Sequence, residues 1–239
     1  MDQPTHIIDP DGEVMIILRH ENSSPIQLEK GPIPEDEPPP ADEPASEDEP
    51  ASDDEPASED EPVSEQPVEE FRIQVSARHL TLCSPYFKSR LTGPWKEGTE
   101  YLEKGYIEIP VEDCRIEVLL ILLRVIHCQY YQVPKDISLE MLAQITSLVD
   151  YYDCKEAVDV LAERWINGLD KNIPKSYTQD VILWVWISWY FRLPVEFKQA
   201  TSTLMTFNTG PIVNLGFPIP KNIIGKRQSA ATWQNITNK

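Results

Sequence analysis

The amino-acid sequence predicts an α/β (α+β) fold: a small, mostly antiparallel sheet packed against a helical cluster, with a helical C-terminal extension. Two early segments, Val14–Leu18 and Phe71–Val75, are apolar or alternate between apolar and polar residues, as strands do. From Ile116 onward, apolar residues recur three and four positions apart, as they do on the buried faces of helices. The 239 residues suffice for one good-sized domain.

Three segments have the pattern of strands. Val14–Leu18 follows a turn that contains Pro, Asp and Gly, and it is apolar almost throughout, so we expect both of its faces to be covered. Phe71–Val75 alternates between apolar and polar residues, which indicates a half-buried strand. Tyr106–Pro110 alternates in the same way and ends at a proline, which predicts a third, short strand.

An acidic segment separates the first two of these strands. Residues 35–70 hold 17 Asp and Glu and no Lys or Arg, whereas the rest of the chain holds 23 acidic and 21 basic residues. Residues 42–65 repeat the hexapeptide Asp-Glu-Pro-Ala-Ser-Glu four times, with Asp53 and Val63 as the two substitutions. Almost nothing apolar is available to offset the entropy of ordering, so we predict a disordered, acidic, proline-rich insertion over residues 31–69.

The acidic repeat suggests two further hypotheses. Ser46, Ser52 and Ser58 each have Glu three residues later, the pattern that acidophilic kinases prefer, although the biased composition alone explains it equally well. As a functional element, the repeat would bind basic proteins such as histones. A strongly acidic segment repels nucleic acids and anionic membranes, so neither is an expected partner.

Polar residues mark where the helices begin, and Pro85 stands at a first helical position, where its missing N–H is not needed. The predicted N-caps are Ser76, Ser84, Ser138 and Thr178, and Asp153 with Glu156 resembles a capping box. The residues from Thr92 to Gly98 are predicted to form a loop, because they include Gly and Pro.

Two helical segments have no polar face. Ile116–Ile126 predicts a central helix, and Val181–Phe191, with one polar residue in eleven, predicts either core or an interface. A further helix is expected from Pro194, and a terminal helix around Ile223–Arg227. The inward-facing residues of the helix from Pro194 are predicted to be Phe197, Leu204 and Met205.

The run Val75–Leu82, read as VSARHLTL, is followed by SPYF at Ser84–Phe87, and together they resemble the signature of the BTB (POZ) interaction fold in the form common in filamentous fungi. The resemblance covers residues 7–18 and 70 to about 227. Further similar segments are Trp95–Gly98, Val133–Pro134, Ser138–Leu142, Leu148–Tyr152, Ile182–Trp189 and Leu215–Pro220.

The resemblance implies that Val14–Leu18 and Phe71–Val75 pair as an antiparallel hairpin, so the acidic insertion replaces a short connection. It divides the chain into a first-strand region (1–30), the insertion (31–69), the BTB/POZ domain (70–155) and a helical extension (156–239). It also implies a non-catalytic protein–protein interaction module that uses helix faces and the sheet edge. BTB domains often form homodimers through the first helix and strand, so self-association is expected.

Trp95-Lys96-Glu97 is similar to a motif near this place in BTB proteins that recruit the cullin scaffold of ubiquitin ligases. That likeness makes Trp95 and Glu97 candidate partner-binding residues and the chain a candidate ubiquitin ligase adaptor. The alternative is that Trp95 packs the loop onto the domain while Glu97 is solvated.

No catalytic or cofactor-binding motif is present in the sequence, so we expect no enzyme activity, no cofactor and no catalytic residue. His79 is interpreted as a hydrogen-bonded core histidine. The four cysteines are interpreted as reduced core thiols, with a zinc site at His127, Cys128 and Cys154 as a minor alternative. Without a signal peptide or a long apolar run, we expect an intracellular protein, nuclear or cytoplasmic.

Overall fold

The computed structural model describes residues 3–20, 69–207 and 214–224. The acidic repeat lies outside these ranges, together with the candidate phosphorylation sites Ser46, Ser52 and Ser58. The described strands are β1 (His6–Ile7), β2 (Val14–His20), β3 (Glu69–Val75) and β4 (Ile107–Val111). The described helices are α1 (Ala77–Cys83), α2 (Pro85–Thr92), α3 (Lys96–Lys104), α4 (Ile116–Ile126), α5 (Leu139–Tyr151), α6 (Lys155–Gly168), α7 (Gln179–Tyr190), α8 (Pro194–Phe207) and α9 (Lys221–Ile224), with a 3₁₀ turn at Tyr130–Gln132.

The sheet has the order β1-β3-β2-β4. Strands β2 and β3 form the expected antiparallel hairpin, in register from Val14 opposite Val75 to His20 opposite Glu69. Strand β4 runs parallel to β2, and β1 runs parallel to β3. The α/β class and the hairpin are therefore confirmed, but the sheet is mixed rather than mostly antiparallel. The chain leaves the sheet at the end of β3, forms α1–α3, and re-enters the sheet at the same end as β4. Strand β4 therefore runs antiparallel to β3 and parallel to its neighbour β2.

Strand β2 is central and buried on both faces, as its continuous apolar sequence predicts. Its residues from Val14 to Leu18 are all buried. Gly12 leads into the strand at a point where a Cβ atom would lie 2.4 Å from the carbonyl oxygen of Val75. Only glycine fits this close approach, so the turn is fixed against the end of β3.

The helix starts follow the sequence with two corrections. Ser84 Oγ accepts a hydrogen bond from the Phe87 N–H at 3.1 Å, and Ser138 Oγ accepts one from the Met141 N–H at 3.1 Å, so both caps are confirmed. Ser76 and Thr178 stand at N-cap positions without a side-chain capping bond. The predicted capping box at Asp153 is wrong, because α6 begins after Cys154 and Asp153 adopts a left-handed backbone, with φ 49°.

Three further expectations need correction or comment. The residues expected to form a loop contain the start of α3, which begins at Lys96. Met205 is 44% exposed rather than inward, since α8 turns that residue away from α7, whereas Phe197 and Leu204 are buried. The terminal helix is the short α9, and Arg227 lies outside the described residues.

One apolar core runs from the sheet through α4 and α5 to α7. Helix α4 is buried nearly all round, as predicted, and α7 packs between α5 and α8. Residues 214–220 return to this core, where Phe217 and Ile219 are buried. Among the described residues, none of the helices combines the length and the apolar composition that a bilayer crossing requires.

Candidate functional site

Helix α3 presents an apolar stripe to solvent. Trp95, at its N-cap position, is 60% exposed, and Leu102 is 77% exposed. Thr99 lies between them at helical spacing and is also exposed, so residues i, i+4 and i+7 share one outward face. The Thr99 N–H donates to the Trp95 carbonyl oxygen at 3.0 Å, which places Trp95 at the start of the helical ladder. We call Trp95, Thr99 and Leu102 the α3 stripe.

Two residues beside the α3 stripe, Gly98 and Tyr101, hold the helix against the rest of the fold. Gly98 is buried, and a Cβ atom there would lie 2.4 Å from the carbonyl oxygen of Gly93, so the helix comes very close to the preceding turn. Tyr101 is partly buried and packs against the core. Gly98 and Tyr101 therefore hold α3 in place, while Trp95 and Leu102 remain largely exposed.

The two candidate partner-binding residues lie at the start of a helix and not in a loop. Trp95 is the N-cap residue of α3, and Glu97 lies in its first turn. Trp95 is 60% exposed, and its Cδ1 would lie 3.0 Å from a Cβ atom at Gly93, so the packing interpretation stays a prediction beside the partner-binding one. The side chain of Glu97 lies outside the described atoms. Propensity alone gave no helix here, because Gly98 interrupts the segment and Gly93 and Pro94 precede it.

The hydrogen-bonded core histidine is His127 rather than His79. His127 Nδ1 lies 2.7 Å from the Leu123 carbonyl oxygen, and Nε2 accepts from the Ser76 N–H at 3.0 Å. His79 stacks on it with ring centroids 4.9 Å apart, is only partly buried, and its Nδ1 has no hydrogen-bond partner among the described residues. The sequence feature that could have identified His127 is its position directly after α4, where its ring folds back over the last turn of the helix.

This arrangement defines the protonation state of His127. Nε2 accepts a hydrogen bond, so Nδ1 carries the proton and donates to the Leu123 carbonyl oxygen. Burial lowers the pKa of His127 below its ordinary value. The ring is therefore neutral and links β3 to α4, which is a structural role.

The cysteines only partly match the expectation of core thiols. Cys114 and Cys154 are buried, and burial raises the pKa of each thiol to about 12. Cys128 is exposed, because it has a left-handed backbone (φ 58°) just after α4. No group of metal-binding side chains occurs within the described ranges, and both ring nitrogens of His127 are already engaged, which leaves the zinc alternative without a ligand there.

Two surface clefts lined by described residues are large enough to hold a ligand. One, of about 750 Å³, lies against α6 and α7, and its Lys155 already pairs with Asp159 at 2.6 Å. The other, of about 590 Å³, lies between α2, α5 and the end of β4. The described lining of neither cleft combines a nucleophile with a hydrogen-bonded base.

The comparison with protein families agrees with this geometry. The family model for the BTB/POZ domain matches residues 68–168, the stretch from the start of β3 to the end of α6. The fold is thus a BTB fold of mixed α/β content with a four-stranded sheet in the described residues. None of the curated proteins compared with the chain matches it.

Proposed function

We propose that this chain is a non-catalytic protein–protein interaction module whose α3 stripe is a partner-binding surface. BTB/POZ domains mediate protein–protein interactions and are generally non-catalytic. The observation that carries the assignment of the surface is the exposure of Trp95 and Leu102 on one face of a seated helix.

The stripe has the energetics of an interface rather than of a structural element. Burying a large apolar side chain against a partner contributes about 1.5–3 kcal/mol. Tryptophan is also the residue type most enriched among interface positions that dominate binding energy. Since Gly98 and Tyr101 already seat α3, the exposed Trp95 and Leu102 add little to folding and are available for binding.

A cullin scaffold is the partner proposed for this surface, because Trp95-Lys96-Glu97 is similar to the motif of cullin-recruiting BTB proteins. In a pull-down with purified cullin, Trp95→Ala and Glu97→Ala should each weaken capture at least about tenfold, which corresponds to about 1.4 kcal/mol. Val160→Ala, at an exposed apolar position on α6, is the control and should bind normally.

Equal cullin capture by the wild type and both variants would show that the chain is no cullin adaptor. The wider proposal has its own test in Leu102→Ala, analysed by affinity purification from the protein's native cells. If Trp95→Ala and Leu102→Ala leave every captured protein at its wild-type level, the α3 stripe is not a binding surface.

Self-association is proposed on the first helix and first strand. Leu82 on α1 is exposed, and β1 is an edge strand of the sheet, so both present unpaired surface. BTB domains often dimerise. Light scattering after size exclusion should give a dimer for the wild type and a monomer for Leu82→Glu. A monomeric wild type at micromolar concentration would contradict this.

A second candidate function is the binding of basic proteins such as histones by the acidic repeat. The observation that favours it is the concentration of charge, since residues 35–70 hold 17 of the 40 acidic residues. Deleting residues 31–68 should then abolish capture of histones while leaving binding through the α3 stripe intact. Retained histone capture by the deletion variant would disprove this function.

A further inference from the structure

A groove with aromatic walls lies on a different part of the surface from the α3 stripe. It has a volume of about 590 Å³ and is formed by α2, the last turn of α5, the end of β4 and the returning tail at Gly216 and Pro218. We call it the tyrosine groove. Its volume falls within the range of about 300–1,000 Å³ that is usual for ligand sites.

Three tyrosines form the aromatic wall. The Tyr86 ring lies 5.4 Å from those of Tyr151 and Tyr152, at interplanar angles of 48° and 71°. Beneath them Phe87 stacks on Tyr152 at 4.8 Å, and Tyr152 is buried. A hydrogen bond with Tyr86 raises the pKa of Tyr151, which is 63% exposed. The wall is therefore supported from below and open to solvent above.

The charged side chains of the groove are predominantly acidic. Glu112, Asp113 and Asp150 line it together with one cation, Arg90. Arg90 Nη1 donates to the Tyr86 hydroxyl at 2.7 Å, and its guanidinium lies 5.9 Å from the centre of the Tyr86 ring. No salt bridge within the described part of the chain joins any of the three carboxylates to a cation.

Asp150 is placed unfavourably in the free protein. It lies in the last turn of α5, where the partial negative charge of the helix end disfavours a carboxylate. Partial burial and the neighbouring Asp153 raise its pKa. A cation bound in the groove would relieve this repulsion, and together with Arg90 it would balance more of the charge of the three carboxylates.

We propose that the tyrosine groove binds the arginine or lysine side chain of a basic segment in a partner protein. This inference rests on the proposed function as an interaction module and adds a second, chemically defined site. Aromatic faces attract cations that lie within about 6 Å of the ring centre. The three carboxylates provide hydrogen-bond acceptors for guanidinium or ammonium groups. Their charge excludes an anionic ligand such as a nucleic acid or an acidic lipid surface.

The described residues that flank the acidic segment, His20 and Glu69, lie at the end of the sheet next to this groove. Strand β2 ends at His20 opposite Glu69 of β3, so the chain from residue 21 to residue 68 leaves and re-enters the fold there. The same end of β2 pairs with the end of β4, with Leu18 opposite Val111. Glu112 and Asp113 follow directly and line the groove. Because the acidic segment is attached at this end of the sheet, it would raise the local concentration of a basic segment near the groove. The groove would then bind a single side chain of that segment.

The test uses the full chain and a fluorescein-labelled peptide, Gly-Ser-Arg-Gly-Arg-Ser-Gly, with fluorescence anisotropy as the readout. The triple variant Glu112→Gln, Asp113→Asn, Asp150→Asn should bind at least about tenfold more weakly than the wild type. Asn tolerates the left-handed backbone of Asp113, so the fold should be unaffected. Tyr151→Ala, at an exposed position, should weaken binding several-fold.

The matched control is Asp11→Asn, Glu103→Gln, Glu163→Gln, which makes the same change in net charge at exposed positions outside the groove. It should bind within about twofold of the wild type. Deleting residues 31–68 should weaken peptide binding and reduce its salt dependence. In this deletion variant, the groove substitutions should still lower the remaining affinity for the peptide.

Several results would overturn the inference. One is an equal loss of peptide affinity in the groove triple variant and the control triple variant. Another is the absence of peptide binding by the wild type. A third is complete loss on deletion of the repeat with no effect of the groove variants. A fourth is binding only after removal of residues 225–239, since the chain's own basic tail would then occupy the groove. None of these results changes the cullin pull-down, which tests the α3 stripe separately.

Discussion

Helices α7 and α3 show opposite relations between sequence and exposure. Helix α7 has an almost entirely apolar sequence, and its residues from Val181 to Ser188 are buried between α5 and α8. Helix α3 has a mostly polar sequence of nine residues, yet Leu102 on it and Trp95 just before it are among the most exposed large apolar residues described.

The difference teaches that apolar content does not by itself locate an interface. The α7 segment was predicted to be either core or interface, and packing on two sides decided for core. The turn residues of the α3 segment predict a loop, but it forms a helix, and its two exposed apolar residues make it the better candidate surface. What separates the two helices is whether neighbouring elements cover the apolar face.

The largest expected effect on the free energy of unfolding comes from replacing one tryptophan in each region by alanine. Trp186 on α7 is fully buried, and its Nε1–H donates to the Ala143 carbonyl oxygen at 3.2 Å. Trp186→Ala should lower the free energy of unfolding by about 3–5 kcal/mol, measured by urea denaturation. Trp95→Ala should change it by less than about 0.5 kcal/mol. Similar losses in both variants would break the comparison, because Trp95 would then be part of the core.

A smaller effect is expected at the core histidine. His127→Leu leaves the buried Ser76 N–H without its acceptor, which should cost about 1–3 kcal/mol. Burial lowers the pKa of His127 in the folded state. Its contribution is therefore complete above the unfolded pKa of about 6.5 and is lost as pH falls towards the folded value.

The pH dependence gives this variant a distinctive readout. The wild type should lose stability between about pH 7 and 5 more steeply than His127→Leu, as followed by chemical denaturation at each pH. His6→Leu, on the edge strand β1 and outside the Ser76–His127 hydrogen bond, is the control for replacing a histidine by leucine. Parallel curves for the wild type and His127→Leu would contradict a neutral, buried ring.

The smallest effect extends the comparison to two caps of the same type. Ser84 is fully buried, and besides capping α2 its hydroxyl donates to the Tyr152 carbonyl oxygen. Ser138 caps α5 through one hydrogen bond and is exposed. Ser84→Ala should cost about 1–2 kcal/mol and Ser138→Ala about 0.5–1 kcal/mol, both from thermal unfolding. Equal costs would show that burial adds nothing to this cap.

The hairpin, the two serine caps and the central helix α4 could be predicted from local patterns and the family resemblance. These features depend on residues that are neighbours in sequence or on a strand pattern with one buried solution. The tyrosine groove could not be predicted, because its carboxylates at 112, 113 and 150 come from separate elements. The same holds for His127, whose hydrogen-bond partner Ser76 is 51 residues away.

The sequence by itself determined strands β2, β3 and β4, most helix starts and the division between a nearly neutral globular part and an acidic repeat, but it did not predict the two-residue strand β1. Each of these follows from local periodicity, capping chemistry or composition. Only the tertiary structure decided which apolar faces are covered, which histidine is buried, and that β4 joins the sheet parallel to β2. The physical reason is that burial and strand pairing depend on contacts between segments that are distant in sequence. A local pattern does not determine which distant segment packs against it.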